Sequence, residues 1–269
     1  MINLIKIVNE RIIPTLRVTD NFWSVYLVKF GVNKKATIKF RNGTFLDVTQ
    51  SNYEDLVLEV ELQDLGQEII DKMNVSIKED VVTFISEGKS ITADRFSAVS
   101  LVKEFYLRLH EDLPVRNKVV LDIGCYVGDS PLYYIIKGGA LKVYGYEINK
   151  KYAAVAKNNV RYNNLEDRIK IMSMGVGNEV GQISLDKIVE EHNIQNGALK
   201  IDVEGAEYEI FKNALTDSIR KFDVIHVEYH YGEQNLPQFF EKLGYKISIK
   251  NQEKDGDMNK GDMFCVKQN

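Results

Sequence analysis

The sequence predicts an α/β fold: a doubly wound, mostly parallel seven-stranded sheet with a terminal antiparallel hairpin, plus a smaller α+β region ahead of it. Three observations predict this. From about residue 118, short runs rich in β-branched residues alternate with longer stretches of helical period, the pattern of successive βαβ units. The last two apolar runs have only a polar, Gly-containing stretch between them, which makes them a hairpin. Upstream of residue 118 the turn chemistry is that of hairpins mixed with helices.

Taken in order, 36–48 folds over Arg41-Asn42-Gly43 and 81–93 over Glu87-Gly88-Lys89, and helical period returns from Phe96 to His110. The run Asp112-Leu113-Pro114-Val115-Arg116-Asn117 carries the proline and charges of a boundary. It divides the chain into an accessory region, 1–113, and a sheet domain, 114–269. The parallel strands are expected at 118–125, 142–148, 170–176, 198–204 and 223–230. The hairpin is expected at 245–251 and 261–267, joined by 252–260. Ser130 as N-cap with Pro131 behind it starts the first helix, Gly138 stops it, and Asn149 caps a second helix running to Asn163.

Composition narrows the function classes. A 44% hydrophobic, 28% charged chain is that of an ordinary globular protein. With 35 basic against 39 acidic side chains, the net charge of −4 supplies no positive field for phosphate backbones, which disfavours nucleic acid as partner. Lys150, Lys151, Lys157 and Arg161 read as the solvated face of the second helix. Lys6, Glu10, Arg11, Arg17 and Asp20 interrupt any apolar run for a signal peptide or membrane span, so a cytoplasmic protein is expected. Cys125 and Cys265 are far apart and lack metal-ligand spacing. The sequence does not specify the oligomeric state.

Ligands of open parallel sheets bind outside the carboxyl ends of the strands, where the strand order reverses. The first strand-to-helix turn, Gly124-Cys125-Tyr126-Val127-Gly128-Asp129-Ser130, is therefore the place to look. Tyr126 and Asp129 stand where a dinucleotide fingerprint has its second and third glycines, so a pyrophosphate is poorly served. Asp129 at a helix N-terminus repels an anion and favours a cation. S-adenosylmethionine offers a sulfonium and an ammonium, and a carboxylate about 4 Å from a unit positive charge contributes up to roughly 4 kcal/mol before desolvation. Glu147 ends the second strand, where an acid can accept both ribose hydroxyls, with Ile148 beside it; Met174 and Gly175 end the third, where an adenine slot is expected.

The fourth strand carries Lys200-Ile201-Asp202-Val203-Glu204-Gly205-Ala206-Glu207, and alternation puts Asp202 and Glu204 on one side. Two carboxylates must reach the solvent-accessible mouth, where like-charge proximity prepares one as general base. Glu207 reads as a helix-start acid. In the fifth strand, His226, Glu228 and His230 share a face; His226 lies deeper and reads as a core histidine, Glu228 and His230 as polar groups at the mouth. These residue types admit a divalent ion with Asp202, but the spacing fixes no ligand count and no metal is assigned.

The segments VVLDIGCYVGDSPLYY, VYGYEINKKY, ISLDKI, LKIDVEGAEYEIF and HVEYH together resemble the FkbM-type methyltransferases, over about residues 95–245. The resemblance implies methyl transfer from S-adenosylmethionine, usually to a hydroxyl of a small molecule or sugar, with Asp122, Gly124, Gly128, Asp129 and Glu147 in cofactor positions. Cys125 and Tyr126 depart from the small residue and Asn often found there, but backbone groups do much of that binding. Asp122, Cys125, Tyr126, Ser130, Ile148, Met174 and Gly175 complete the expected cofactor site; Asp202, Glu204, Glu228 and His230 are the expected catalytic set. No NPPY or DPPY follows the fourth strand, which points away from nitrogen acceptors. The rival readings are a dinucleotide-dependent oxidoreductase and a non-catalytic nucleoside-binding scaffold.

Overall fold

A computed structural model describes residues 12–268 except Asn42, Asn52, Glu79, Asp80, Glu111, Gly256 and Asp257. The chain forms two compact units, Met1–Ile91 and Thr92–Asn269. The first contains helices α1 (Ile13–Val18), α2 (Phe22–Lys29), α3 (Tyr53–Leu65) and α4 (Gln67–Met73). Strands β1 (Lys35–Lys39) and β2 (Phe45–Thr49) form the expected first hairpin; Asn42 of its turn lies outside the described residues. Val18, Val25, Val28, Ile38, Phe40, Val48, Leu56 and Val60 are its core. Strands β3 (Ser76–Lys78), β4 (Val81–Ser86) and β5 (Lys89–Asp94) make a three-stranded sheet, with β5 crossing the division between the units.

The segment from Thr92 to Leu113, placed by sequence with the accessory region, clusters instead with the second unit. Hydrogen bonds are the reason. The backbone amides of Thr92 and Asp94 donate to the side-chain oxygens of Asn163 (3.0 Å) and Asn159 (2.6 Å), and Asn159 Nδ2 donates to Ser97 Oγ and Val127 O. Asn159 is fully buried, so these bonds are what make its burial tolerable. Helix α5 (Ala98–Leu107) belongs to this unit as well.

The seven-stranded sheet has the order β11-β12-β10-β9-β6-β7-β8. Its parallel strands are β6 (Val119–Ile123), β7 (Lys142–Tyr146), β8 (Ile169–Met172), β9 (Gly197–Ile201) and β10 (Phe222–Tyr229), and the antiparallel pair is β11 (Tyr245–Asp255) and β12 (Met258–Lys267). Successive crossovers run outward from β6 in both directions, so the order reverses between β6 and β9. Helices α6 (Asp129–Ile136), α7 (Lys150–Tyr162), α8 (Leu185–Glu191), α9 (Glu207–Asn213), α10 (Thr216–Ile219) and α11 (Leu236–Lys242) connect the strands. Leu121, Ile123, Leu199, Ile201, Val227 and Tyr229 join Ile188, Phe211 and Phe240 in one core cluster.

Several local expectations are corrected. The β9 strand ends at Ile201, three residues before its expected end, and β8 ends at Met172, with Val176 pairing separately with Ile183. The hairpin is longer than its sequence suggested, because Glu253 pairs with Lys260 and Lys254 with Asn259 across what looked like a loop; opposite charges facing each other there support the pairing. Helix α6 is capped by Gly128 in the left-handed region (φ 84°), not by Ser130. A Cβ at Gly128 would lie 3.2 Å from the Cα of Ala156 on α7, so a side chain there would be crowded as well as strained by the left-handed backbone. Asn149 does cap α7, accepting from the amides of Lys151 and Tyr152. Among the described residues no helix is long and apolar enough to cross a membrane.

Candidate active site

Strand register builds the site. Asp122 lies opposite Lys200, Lys200 opposite His226, and His226 opposite Phe264, so these four form a row across β6, β9, β10 and β12. Two residues further along each parallel strand, on the same face, come Gly124, Asp202 and Glu228, and Glu228 lies opposite Asp262. The second row thus lies at the carboxyl ends of the parallel strands. Asp202 is just beyond the end of β9, but its amide still donates to Ile123 O at 3.0 Å.

The buried Lys200 of the first row ties the two rows together. Its Nζ donates to Gly124 O (2.9 Å) and to Asp202 Oδ2 (3.3 Å), and lies 3.5 Å from Asp122 Oδ1. Burial alone would lower its pKa, but Asp202 and Asp122 override this and raise it, so the ammonium stays charged. Sequence reasoning assigned Lys200 no role. The available signal was a lysine inside an otherwise apolar run, where a charge has to be paired.

The glycine turn sits where expected. Gly124 has φ 82°, and a Cβ there would come 1.7 Å from Asp202 O, so only glycine fits. The Tyr126 amide donates to Glu147 Oε2 (3.0 Å) and the Asn149 amide to Oε1 (2.7 Å), making Glu147 a clamp on the turn. Burial raises the Glu147 pKa while those two amides oppose the shift. Ser130 Oγ donates to Asp122 Oδ2 at 2.6 Å, so both residues support the turn from the interior. The Cys125 thiol is buried against Gly145, which leaves its backbone as its contribution to the site. The Tyr126 ring is exposed and packs edge-on to Tyr152 at 4.6 Å.

Asp129 accepts from the Ser130 amide at 3.0 Å, and burial pushes its pKa up to about 6, with His110 pulling it down and Glu104 pushing it up. His110 Nδ1 lies 2.7 Å from Glu104 Oε2. Neither the buried Glu104 nor the partly buried His110 carries a sequence pattern that marks it. Ile148 and Met174 are exposed, and a Cβ at Gly175 would lie 2.9 Å from Ile148 Cδ1, so Ile148 and Gly175 share one surface beside Glu147.

Of the four expected catalytic residues, the structure brings three together. Asp202, Glu228 and His230 each offer one ligand atom, and these atoms lie within 4.8 Å of one another. His230 Nε2 is 3.9 Å from Asp202 Oδ1 and 3.8 Å from Glu228 Oε1. Glu204 is not among them: with β9 already ended, strand alternation no longer applies, and it lies exposed in a turn at φ 55°. Glu207, read as a helix-start acid, is fully buried in the first turn of α9 and also orients the histidine. It accepts from the amides of Gly205 (2.8 Å) and His230 (2.9 Å), and its Oε1 is 3.4 Å from His230 Nδ1. That contact raises the His230 pKa against burial.

Burial, with Asp202 and Asp262 nearby, pushes Glu228 up to about 7, whereas burial at Asp202 is outweighed by Lys200 and His230, which hold its pKa down. The two carboxylates are thus separated into one firmly ionised and one that titrates near neutrality. His226 is buried, as expected of a core histidine, with its ring stacked on Phe264 at 4.4 Å and Nε2 2.7 Å from Asp262 Oδ1.

The turn fits S-adenosylmethionine by its own chemistry. It has a side-chain-free approach at Gly124 and Gly128, acids at Asp129 and Glu147, and an exposed apolar surface at Ile148 for a base. Residues 177–247 match the family model of the methyltransferase FkbM domain. No curated protein matches. Among solved structures, TrmK of M. capricolum in complex with S-adenosyl-homocysteine is 20% identical, with 60% of this chain and 67% of that one covered at a TM-score of 0.46. A putative tRNA methyltransferase of Streptococcus pneumoniae in complex with S-adenosyl-L-methionine is 16% identical, with 61% and 72% covered at 0.46. The methyltransferase FkbM of Methylobacillus flagellatus is 15% identical, with 63% and 54% covered at 0.44. These distant likenesses carry no argument about what the chain does; the likeness to the FkbM domain rests on the family match alone. Over residues 177–247, about a quarter of its length, the chain is similar to the methyltransferase FkbM domain.

Proposed function

We propose that the protein methylates a hydroxyl oxygen of a small molecule or sugar. The observation that carries this reading is the convergence of Asp202, Glu228 and His230 beside the Gly124 turn, which puts proton-accepting groups next to the donor site. In this reading the backbone of Gly124–Gly128 and the carboxylates of Asp129 and Glu147 hold the donor, with Ile148 and Met174 against its base. Bound there, S-adenosylmethionine supplies an electrophilic methyl group on a sulfonium.

The chain's own residues do the rest. Glu228, ionising near neutrality, accepts the hydroxyl proton of the acceptor as the oxygen becomes nucleophilic. His230, held by Glu207, orients the same hydroxyl. Lys200 fixes the turn carbonyl relative to Asp202, keeping donor and acceptor sites in register. The test is an acceptor screen with donor labelled in the methyl group, comparing hydroxyl compounds and sugars with amines and RNA. Label on hydroxyl oxygen is expected; label found on nitrogen alone would remove the proposal.

A further inference from the structure

We infer that Asp202, Glu228 and His230 form a binding site for one divalent cation of the Mn2+ or Mg2+ type. The inference deepens the hydroxyl-methylation reading by naming an ion at the same acceptor site, and it stands on geometry of its own.

Each of the three atoms that face one another is an acceptor or can be one. His230 Nδ1 is turned toward the buried Glu207 carboxylate (3.4 Å), which favours a proton on Nδ1 and makes Nε2 the nitrogen that can give its lone pair to an ion in exchange for a proton. That Nε2 sits on a side chain only 2% exposed, with Glu228 Oε1 at 3.8 Å and Asp202 Oδ1 at 3.9 Å as its charged neighbours. Two carboxylate oxygens facing Nε2 make a position that favours a positive charge, which a proton on the imidazole or a metal ion in its place can supply. The spacing leaves room for the ion, since ligands at adjacent positions around an ion with bonds of about 2.1 Å lie about 3 Å apart. Side-chain shifts of under about 1 Å would close the set.

The surroundings already hold the ligands in place. Asp202 divides its two oxygens, Oδ2 to Lys200 and Oδ1 toward His230, so the lysine orients this ligand without occupying the ion's position. The buried carboxylate behind the imidazole is the usual outer-sphere partner of a metal-bound histidine. Two carboxylates with one imidazole suit Mn2+ or Mg2+ better than a soft ion. Three ligands on an octahedral ion leave positions for water and for the acceptor hydroxyl, whose pKa the ion would lower.

The test is titration of Mn2+ into the full chain, followed by the electron paramagnetic resonance signal of free ion. One Mn2+ bound per chain at about 100 µM is expected. Affinity should fall about 10- to 100-fold or more in His230→Ala and in Glu228→Gln, and Glu209→Gln on the exposed face of α9 should leave it unchanged. Because His230 is buried, Glu228→Gln, at a partly exposed position, keeps the test decisive if the histidine variant does not fold. Absence of binding to the intact chain, or equal affinity in folded Glu228→Gln, overturns the site. Failure of the hydroxyl-methylation reading looks different: Mn2+ binds, but no label reaches oxygen.

Discussion

Glu228 and Asp202 show how one row of a sheet can hold two carboxylates that part with their protons at different pH. Lys200 keeps Asp202 ionised, while burial among other acids brings Glu228 to about 7. A base must be deprotonated to work, so kcat/KM should rise with pH through a midpoint near 7 as Glu228 ionises. Glu228→Gln should abolish that midpoint and lower kcat by about 10²- to 10⁴-fold, as a pH profile of both proteins would show. Glu147 makes a separate prediction. Its carboxylate accepts from two backbone amides, so Glu147→Ala frees the turn and, if the donor is held as proposed, removes a ribose acceptor with it. Calorimetric titration with S-adenosylmethionine should show at least about a 10-fold loss of affinity, since a single hydrogen bond to a charged group is worth about 1.5–3 kcal/mol. Unchanged affinity would remove the ribose role.

Asp129 is the residue where stability and binding oppose each other. Its carboxyl titrates at about 6 in the folded chain, above the ordinary aspartate value, because burial penalises the charge. A raised acid contributes stability that is present below the unfolded pKa and is lost as pH rises through about 6. Asp129→Asn keeps an acceptor for the Ser130 amide and removes that penalty. The variant should therefore melt higher than the parent at pH 8, with the gain shrinking toward pH 4, while its affinity for the cationic donor falls. Melting curves at the two pH values check the sign.

At the scale of elements, what was legible followed from periodicity and caps. Asn149 at the start of α7 was readable because its side chain acts within its own turn, and Asn149→Ala should cost about 1 kcal/mol in a urea titration. Ser130 was misread for a complementary reason. Its hydroxyl is committed to Asp122, eight residues back in the neighbouring strand, while a left-handed glycine caps the helix. Glu204 was placed by extending strand alternation past the point where the strand stops. The histidine–carboxylate pairs His230 with Glu207 and His226 with Asp262 involve partners that fold topology brings together. Spacing along the chain carries no trace of such partners, though each buried ionisable group signals that one must exist.

For the whole molecule, the sheet order was reachable only in outline. Sequence implied seven strands and a hairpin; the positions of β6 and β9 at the reversal point come from the pairings. The division at Ile91 and Thr92 came from asparagine contacts more than sixty residues apart, not from the proline-containing run that looked like a boundary. The net charge of −4 acts at this scale as well. It leads us to expect no saturable binding of tRNA at physiological ionic strength, with fluorescence anisotropy staying flat up to about 10 µM RNA.

The two charged rows across β6, β9, β10 and β12 also bear on how the chain finds its fold. A sheet of mostly aliphatic strands can pair in several registers of similar energy, and parallel pairing is slow to correct. In the native alignment Lys200 meets Asp122 and Asp202 together. A slip of one residue in β9 would turn the lysine to the opposite face, leaving its charge in an apolar layer and Asp122 on β6 without a counterion. The buried lysine that holds the turn beside the acid cluster thus also favours one alignment of the sheet over its neighbours, since only the native register pairs its charge with Asp122.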